Sequence, residues 1–351
     1  RAVRRARGFV PEPLPLEGAA RDMLCFGAQL KNTFCLVRGG RAYISGHMGD
    51  LDDADAFAQC RGELDSFIGL FGGEPEALVH DLHPDYASTR LAQEWALRYP
   101  RARPIAVQHH QAHFASVLAE NGLIRAQGFI FDGSGYGTDG TIWGGEMLVG
   151  GAASAQRVAR LRPISLPGAD AAVREPWRAA FAALCDACTE ERAFSLFNKI
   201  PEAALMGSVL KSRALSPQSS GMGRLFDAVA AIAGLHPYAG FEGQAAIALE
   251  QAYDESAAGS YGFDVSTGAG GLIEWDWRGL VKSAVEDIPL GPGVISARFH
   301  RALAALISGA AAQGEPVALS GGVFQNVRLL GLCTRALEAQ GFKVYSNALV
   351  P

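Results

Sequence analysis

The chain has 351 residues, 49% of them hydrophobic, which is enough for two lobes of ordinary domain size and excludes a disordered polypeptide. A formal net charge of −5 and a pI near 5.9 supply no basic field for a general nucleic-acid surface, so no nucleic-acid partner is expected. No apolar run reaches the length of a membrane span, and six scattered cysteines follow no disulfide framework, so a reduced, cytoplasmic protein is expected.

In chain order, Arg1, Arg4, Arg5 and Arg7 with Pro11, Pro13 and Pro15 read as a linker over residues 1–17, leaving an earlier domain. Short apolar runs at Asp22–Cys25, Thr33–Val37 and Ala42–Gly46 predict strands, followed by a helix around Asp55–Leu70 and a strand at Ala77–His80. A helix at Ser88–Arg98, a strand near Ile105, a helix at His110–Asn121 and a hairpin of Gly128–Phe131 with Thr141–Val149 complete a first lobe, 18–160. The second lobe, 161–351, reads as mostly helical: Ala171–Glu190, Glu191–Lys199, Glu202–Ala214, Arg224–Ala233 and Gln244–Tyr253. Strands near Ser260–Val265 and Leu272–Trp277 precede a long helix at Pro292–Gln313. The strand Val317–Ser320, a glycine turn, a helix at Asn326–Gln340 and a strand at Lys343–Ser346 close the pattern. Alternating strands and helices point to an α/β fold, and the sequence shows no internal repeat.

Four constellations carry chemistry. His109 and His113 stand four apart, which on a helix stacks two imidazoles on one face as a metal requires. His110 points to another face, as an outer partner or a substrate contact. Beyond them an apolar run delivers Asp132 into the glycine-rich stretch Asp132–Gly140, where Gly133, Ser134 and Gly135 offer bare backbone to an anion. That stretch reads equally as a plain hairpin turn. In Ser219–Val229, small residues at a helix start place Gly223 and Asp227 where ribose hydroxyls could be held, and a capped surface helix fits the same spacing. Gly321, Gly322 and Asn326 follow a strand and offer a flat glycine turn to an adenine ring. Cys185 and Cys188 fall within a helical period and read as core, not as a metal or redox pair. Arg174–Arg178 and Glu242–Ala246 read as helix starts or ion pairs.

These motifs, together with Leu30–Phe34, Ser45–Leu51, His80–Tyr86 and Ile142–Glu146, resemble the carboxy-terminal half of the HypF family, the carbamoyltransferases that mature [NiFe] hydrogenases. The resemblance implies a two-lobed actin-like ATPase fold of the Kae1-like type, with the loop at Gly27–Phe34 and the stretch at Asp132 as its two phosphate hairpins. It implies a Zn or Fe ion held by His109, His113 and Asp132, and ATP or carbamoyl-adenylate (AMP) bound near Gly223, Asp227, Gly321, Gly322 and Asn326. Lys31, Asn32 and His110 would meet the reacting group. The partner implied is HypE, whose carboxy-terminal cysteine thiol accepts the carbamoyl group, with an upstream YrdC-like domain supplying carbamoyl-adenylate. Alternatives are an O-carbamoyltransferase acting on a small-molecule hydroxyl and a non-catalytic nucleotide-binding docking domain. The family continues past Pro351 into a stretch carrying a further metal-ligating aspartate, so weak metal binding is expected of this chain.

Overall fold

The computed structural model describes residues 9–16, 18, 19 and 21–350. The basic cluster Arg1, Arg4, Arg5 and Arg7 lies outside them. The chain divides into two compact units. One takes the residues up to Ile124 with Tyr136–Thr138 and the end from Asn347; the other takes Arg125–Gly135 and Asp139–Ser346.

The first unit is built on a six-stranded sheet of β1 (Leu14–Pro15), β2 (Met23–Cys25), β3 (Cys35–Arg38), β4 (Arg41–Ile44), β5 (Ala77–Asp81) and β6 (Arg103–Val107), in the order β1-β4-β3-β2-β5-β6. β2, β3 and β4 form antiparallel hairpins, whereas β5 lies parallel to β2 and β6 parallel to β5. Parallel neighbours need crossovers, and α1 (Ala54–Phe71) and α2 (Ala87–Arg98) supply them before α3 (His109–Glu120). Asp53 caps α1 by accepting from the amides of Asp55 and Ala56, a contribution of about 1 kcal/mol. One stripe of that helix, Cys60, Leu64, Phe67 and Ile68, is buried with Leu24, Phe34, Leu36 and Leu78 of the sheet.

In the second unit the strands are β7 (Ala126–Tyr136), β8 (Ile142–Gly150), β9 (Gln156–Leu161), β10 (Ile164–Ser165), β11 (Gln218–Ser219), β12 (Asp264–Thr267), β13 (Ile273–Asp276), β14 (Val317–Ser320) and β15 (Val344–Ser346). They run in the order β12-β13-β9-β8-β7-β14-β15, with β10 and β11 paired off the main path. The helices are α4 (Ala171–Arg174), α5 (Pro176–Ala187), α6 (Glu190–Phe197), α7 (Ala203–Leu210), α8 (Met222–Ile232), α9 (Gln244–Gln251), α10 (Arg278–Glu286), α11 (Pro292–Ala310) and α12 (Val327–Glu338). Every residue of α8 is buried, within a core that includes Trp177, Trp275, Trp277 and Phe299. The helix reads as hydrophobic all round apart from Arg224 and Asp227, so those two polar side chains have to be explained.

The two sheets share one topology. β4-β3-β2-β5-β6 and β9-β8-β7-β14-β15 each place a three-strand meander beside two parallel strands reached by helical crossovers. The sequence carries no residue-level trace of this repeat, because α4 to α11 separate β9 from β14 whereas α1 alone separates β4 from β5. The change of unit also falls earlier than the expected 160/161. β7 pairs parallel with β14 and β9 with β13, which commits residues 126–161 to the second sheet. The predicted helix Ala171–Glu190 breaks at Glu175, since the residue before Pro176 is driven out of helical backbone. Cys185 packs on the core and both it and Cys188 are free thiols, in line with the core reading.

Candidate functional site

In the first unit, α3 begins immediately after β6, and Gln108 caps it by accepting from the Gln111 amide at 2.9 Å. His109 therefore lies in the first turn and His113 one turn on, with ring centroids 5.0 Å apart on one face. The parallel register sets Asp81, at the end of β5, opposite Val107, two residues before His109. As a result, His109 Nδ1–H donates to Asp81 Oδ2 at 2.9 Å, while Asp81 Oδ1 accepts from the His83 amide at 2.8 Å. A carboxylate on Nδ1 fixes the imidazole tautomer, leaves Nε2 to act as a ligand and raises its basicity. The donor set thus fits a borderline cation such as Zn or Fe. Asp81 was not among the expected site residues, although it stands in the His80–Tyr86 motif.

His110 faces the other way. It is fully buried, with Nδ1 3.1 Å from the Gln108 side-chain nitrogen, which also donates to the Tyr136 carbonyl at 3.0 Å. Burial favours the outer-partner role for His110 over a substrate contact. The loop Gly27–Phe34 connects β2 to β3, and Gly27 has a positive φ where any Cβ would meet the Thr33 carbonyl at 2.3 Å. Lys31 sits in left-handed backbone at the turn, its amide held by Asp50. Asn32 departs from expectation. Its side chain is 1% exposed and donates to the carbonyls of Phe26 and Ala28 at 2.9 and 2.6 Å, while its oxygen faces the Cys60 thiol. With both amide hydrogens spent on its own loop, Asn32 shapes the turn and is not a direct contact to a reacting group.

In the second unit, Asp132 is the centre of a separate group of expected residues. The strand does not end there, as a glycine loop would require, but continues to Tyr136, with Ser134 exposed and Gly135 buried. The turn proper is closed by Asp139, which accepts from the Thr141 amide and hydroxyl and from the Trp143 indole. Burial alone would raise the Asp139 carboxyl, but those hydrogen bonds and the nearby Arg157 outweigh it and hold the group below the usual carboxylate range. Three other segments press glycines onto Asp132 and Gly133. A Cβ on Gly144 would come within 2.8 Å of the Asp132 carbonyl, one on Gly221 within 2.2 Å of the Gly133 carbonyl, and one on Gly223 within 2.9 Å of the Gly133 Cα. Gly321, with φ +98°, faces the Phe131 carbonyl, and a Cβ on Gly322 would lie 3.0 Å from Asp132 Oδ1. The expected residues Asp132, Gly133, Gly223, Gly321 and Gly322 are thus brought together in a cradle of bare backbone. Asp227 is 3% exposed and ion-paired with Arg224 at 3.0 Å.

Asn326 caps α12 by accepting from the Leu329 amide at 2.8 Å, and its Nδ2–H donates to His300 Nε2 at 2.9 Å. The other ring nitrogen, Nδ1–H, donates to the Ser296 carbonyl at 2.8 Å, so the imidazole must stay neutral to serve both partners. Burial, reinforced by Arg328 and opposed by the Ser296 hydrogen bond, holds its pKa down at about 4. A histidine whose folded pKa is depressed contributes no pH dependence above its unfolded value near 6.5. Below that value the unfolded chain takes up the proton first, and stability falls until about pH 4. The expected loss from this group is about 3 kcal/mol across that window. Urea unfolding at steps between pH 7 and pH 4 should show a shallower loss in His300→Gln than in the parent, and parallel curves would refute the assignment.

Two family models match the chain: "HypF Kae1-like domain" over residues 18–120 and "Carbamoyltransferase, Kae1-like Domain, second subdomain" over 128–351. Their junction falls where the chain passes from one unit to the other. Carbamoyltransferase HypF of Rhizobium leguminosarum bv. viciae is 37% identical over 99% of this chain and 46% of its own length. A carbamoyltransferase HypF homolog of Cupriavidus necator is 38% identical over 97% of this chain and 89% of its own. The crystal structure of full-length HypF in the phosphate- and nucleotide-bound form superposes with a TM-score of 0.90 at 36% identity, covering 100% of this chain and 47% of that one. HypF from T. kodakarensis gives 0.88 at 30%, over 98% and 47%. The chain spans about half the length of these full-length relatives. It belongs to the HypF family, as a Kae1-like domain of the actin-like ATPase type.

Proposed function

We propose that this domain transfers the carbamoyl group of carbamoyl-adenylate to the carboxy-terminal cysteine thiol of HypE, the step that leads to a cyanide ligand in [NiFe]-hydrogenase maturation. The observation that carries the reading is the glycine cradle around Asp132 and Gly133, within a chain whose relatives are named carbamoyltransferase HypF. A nucleotide-bound relative of the same fold supports adenylate as the ligand. Gly133, Ser134 and Gly135 would offer backbone to the phosphate, Gly223 and Asp227 would lie on the ribose side, and Gly321, Gly322 and the turn fixed by Asn326 on the adenine side.

His109 and His113 are proposed as metal ligands, with Asp132 as the carboxylate of the same set. When bound, a Zn or Fe ion supplies Lewis-acid polarisation of a phosphate or carbamoyl oxygen. Asp81 keeps the His109 tautomer that such binding needs. In the transfer itself the acceptor sulfur forms a bond to the carbamoyl carbon, the carbon–oxygen bond to the phosphate breaks, AMP leaves with the electron pair and the thiol proton is released. Lys31, exposed at its turn, is proposed to meet the leaving phosphate. The test incubates the domain with carbamoyl-adenylate and HypE and weighs HypE. One added carbamoyl group per HypE, removed by cysteine substitution, is expected; unmodified HypE in the presence of folded, AMP-binding domain defeats the proposal.

A further inference from the structure

Arg224 and Asp227 are the two charged residues on α8, a helix whose every residue is buried. Arg224 is 6% exposed, and its Nη2 lies 3.0 Å from Asp227 Oδ2. Its Nε and Nη1, however, have no hydrogen-bond partner among the described residues. A guanidinium is a fork of donors with no acceptor, and it stays charged; burying it with two nitrogens unmatched is costly unless something else completes the set. The side chain is placed by the glycine cradle. Its Nη2 lies 3.2 Å from the position a Cβ would take on Gly133, and its Cγ packs 3.1 Å from the equivalent position on Gly221. An alanine at either glycine would displace it. The guanidinium therefore rests on the bare face of the strand at Gly133, immediately after Asp132.

Asp227 does not complete the match. Burial pushes its carboxyl up, against the pull of Arg224 and with the help of Glu242, to about 6. The arrangement leaves Arg224 with donor capacity to spare, pointing to an additional anionic partner.

We propose that Arg224 binds a phosphate oxygen of the nucleotide, using donors that Asp227 does not take, and so selects nucleotides over nucleosides. This rests on the nucleotide reading of the cradle above and adds to it the residue that recognises the phosphoryl group. Planar, bidentate recognition of phosphate is what a buried arginine does better than a lysine, whose single ammonium offers a point charge without the fork.

The experiment titrates the parent chain, Arg224→Met and Arg224→Lys with adenosine, AMP and inorganic phosphate by calorimetry. Arg224→Met is expected to weaken AMP by on the order of 10- to 100-fold while adenosine stays within about twofold, and Arg224→Lys should fall between. A parallel loss of adenosine and AMP, or an unchanged AMP affinity, overturns the proposal and leaves Arg224 a packing residue. If Arg224→Met fails to fold, Arg224→Lys carries the same comparison. Should the parent bind neither adenosine nor AMP, the nucleotide reading falls, and phosphate alone decides: binding lost in the variants retains Arg224 as an anion site, and binding unchanged removes it.

Discussion

Replacing Arg157 with methionine is expected to lower the unfolding free energy by about 3 kcal/mol, because it strands a buried carboxylate. Glu146 on β8 has zero exposure, and Arg157 on β9 donates to it through Nε at 2.6 Å. The same guanidinium reaches Asp139 at 3.0 Å and lies 3.9 Å over the Trp143 ring. Removing one member of a buried pair costs more than the pair itself contributes, about 3–5 kcal/mol. Glu146 keeps the Ser220 hydroxyl and the amides of Gly144 and Gly145 as donors, which sets the lower end of that range. The exposed Asp139 arm adds little, since water screens it. Urea unfolding followed by tryptophan fluorescence measures the change. The double variant Arg157→Met, Glu146→Gln should recover part of the loss, as expected for coupled residues. A single variant within about 0.5 kcal/mol of the parent would mean the network is not a structural clamp.

That clamp matters to the site. Glu146 holds the amides of Gly144 and Gly145, and Gly144 is one of the glycines packed against Asp132. The carboxylate expected to serve chemistry is therefore positioned by a second carboxylate on the neighbouring strand, through backbone alone. Arg157 carried no signal in the sequence, since it lies on β9, for which the sequence pattern predicts no strand.

How far the sequence was legible depended on whether partners were local. The four-residue spacing of His109 and His113 is a local property of a helix, and α3 presents them as expected. Asp81 is 28 residues from His109, and only the parallel pairing of β5 with β6 brings them together. His300 and Asn326 likewise meet through the packing of α11 and α12. Asn32 was misread for the opposite reason. A polar residue in a glycine-containing turn looks the same whether it serves a ligand or its own loop, and here the carbonyls of Phe26 and Ala28 claim it. β9 and α10 were not foreseen because each is short and flanked by segments with stronger patterns. Without β9 the expected boundary falls too late, since β9 is the strand that ties the β7–β8 hairpin to β13.

Asp81→Asn is expected to weaken zinc binding by roughly 10- to 100-fold without unfolding the domain. The argument is one of tautomers. Asp81 Oδ1 accepts from the His83 amide, so an asparagine keeps its oxygen there and turns its NH2 toward His109. A donor facing Nδ1 makes that nitrogen an acceptor and moves the ring proton to Nε2, the atom a cation would need. Asp81→Ala removes the orienting group but imposes no wrong tautomer, so it should bind zinc more tightly than Asp81→Asn, and His109→Ala should bind least. Competition titration against a chromophoric chelator gives the affinities, and amide circular dichroism confirms that each variant is folded. If Asp81→Asn binds zinc as the parent does, then Asp81 is not orienting a ligand, and the metal assignment of His109 has to be withdrawn. If Asp81→Ala proves weaker than Asp81→Asn, the carboxylate acts through its charge and not through the tautomer it selects.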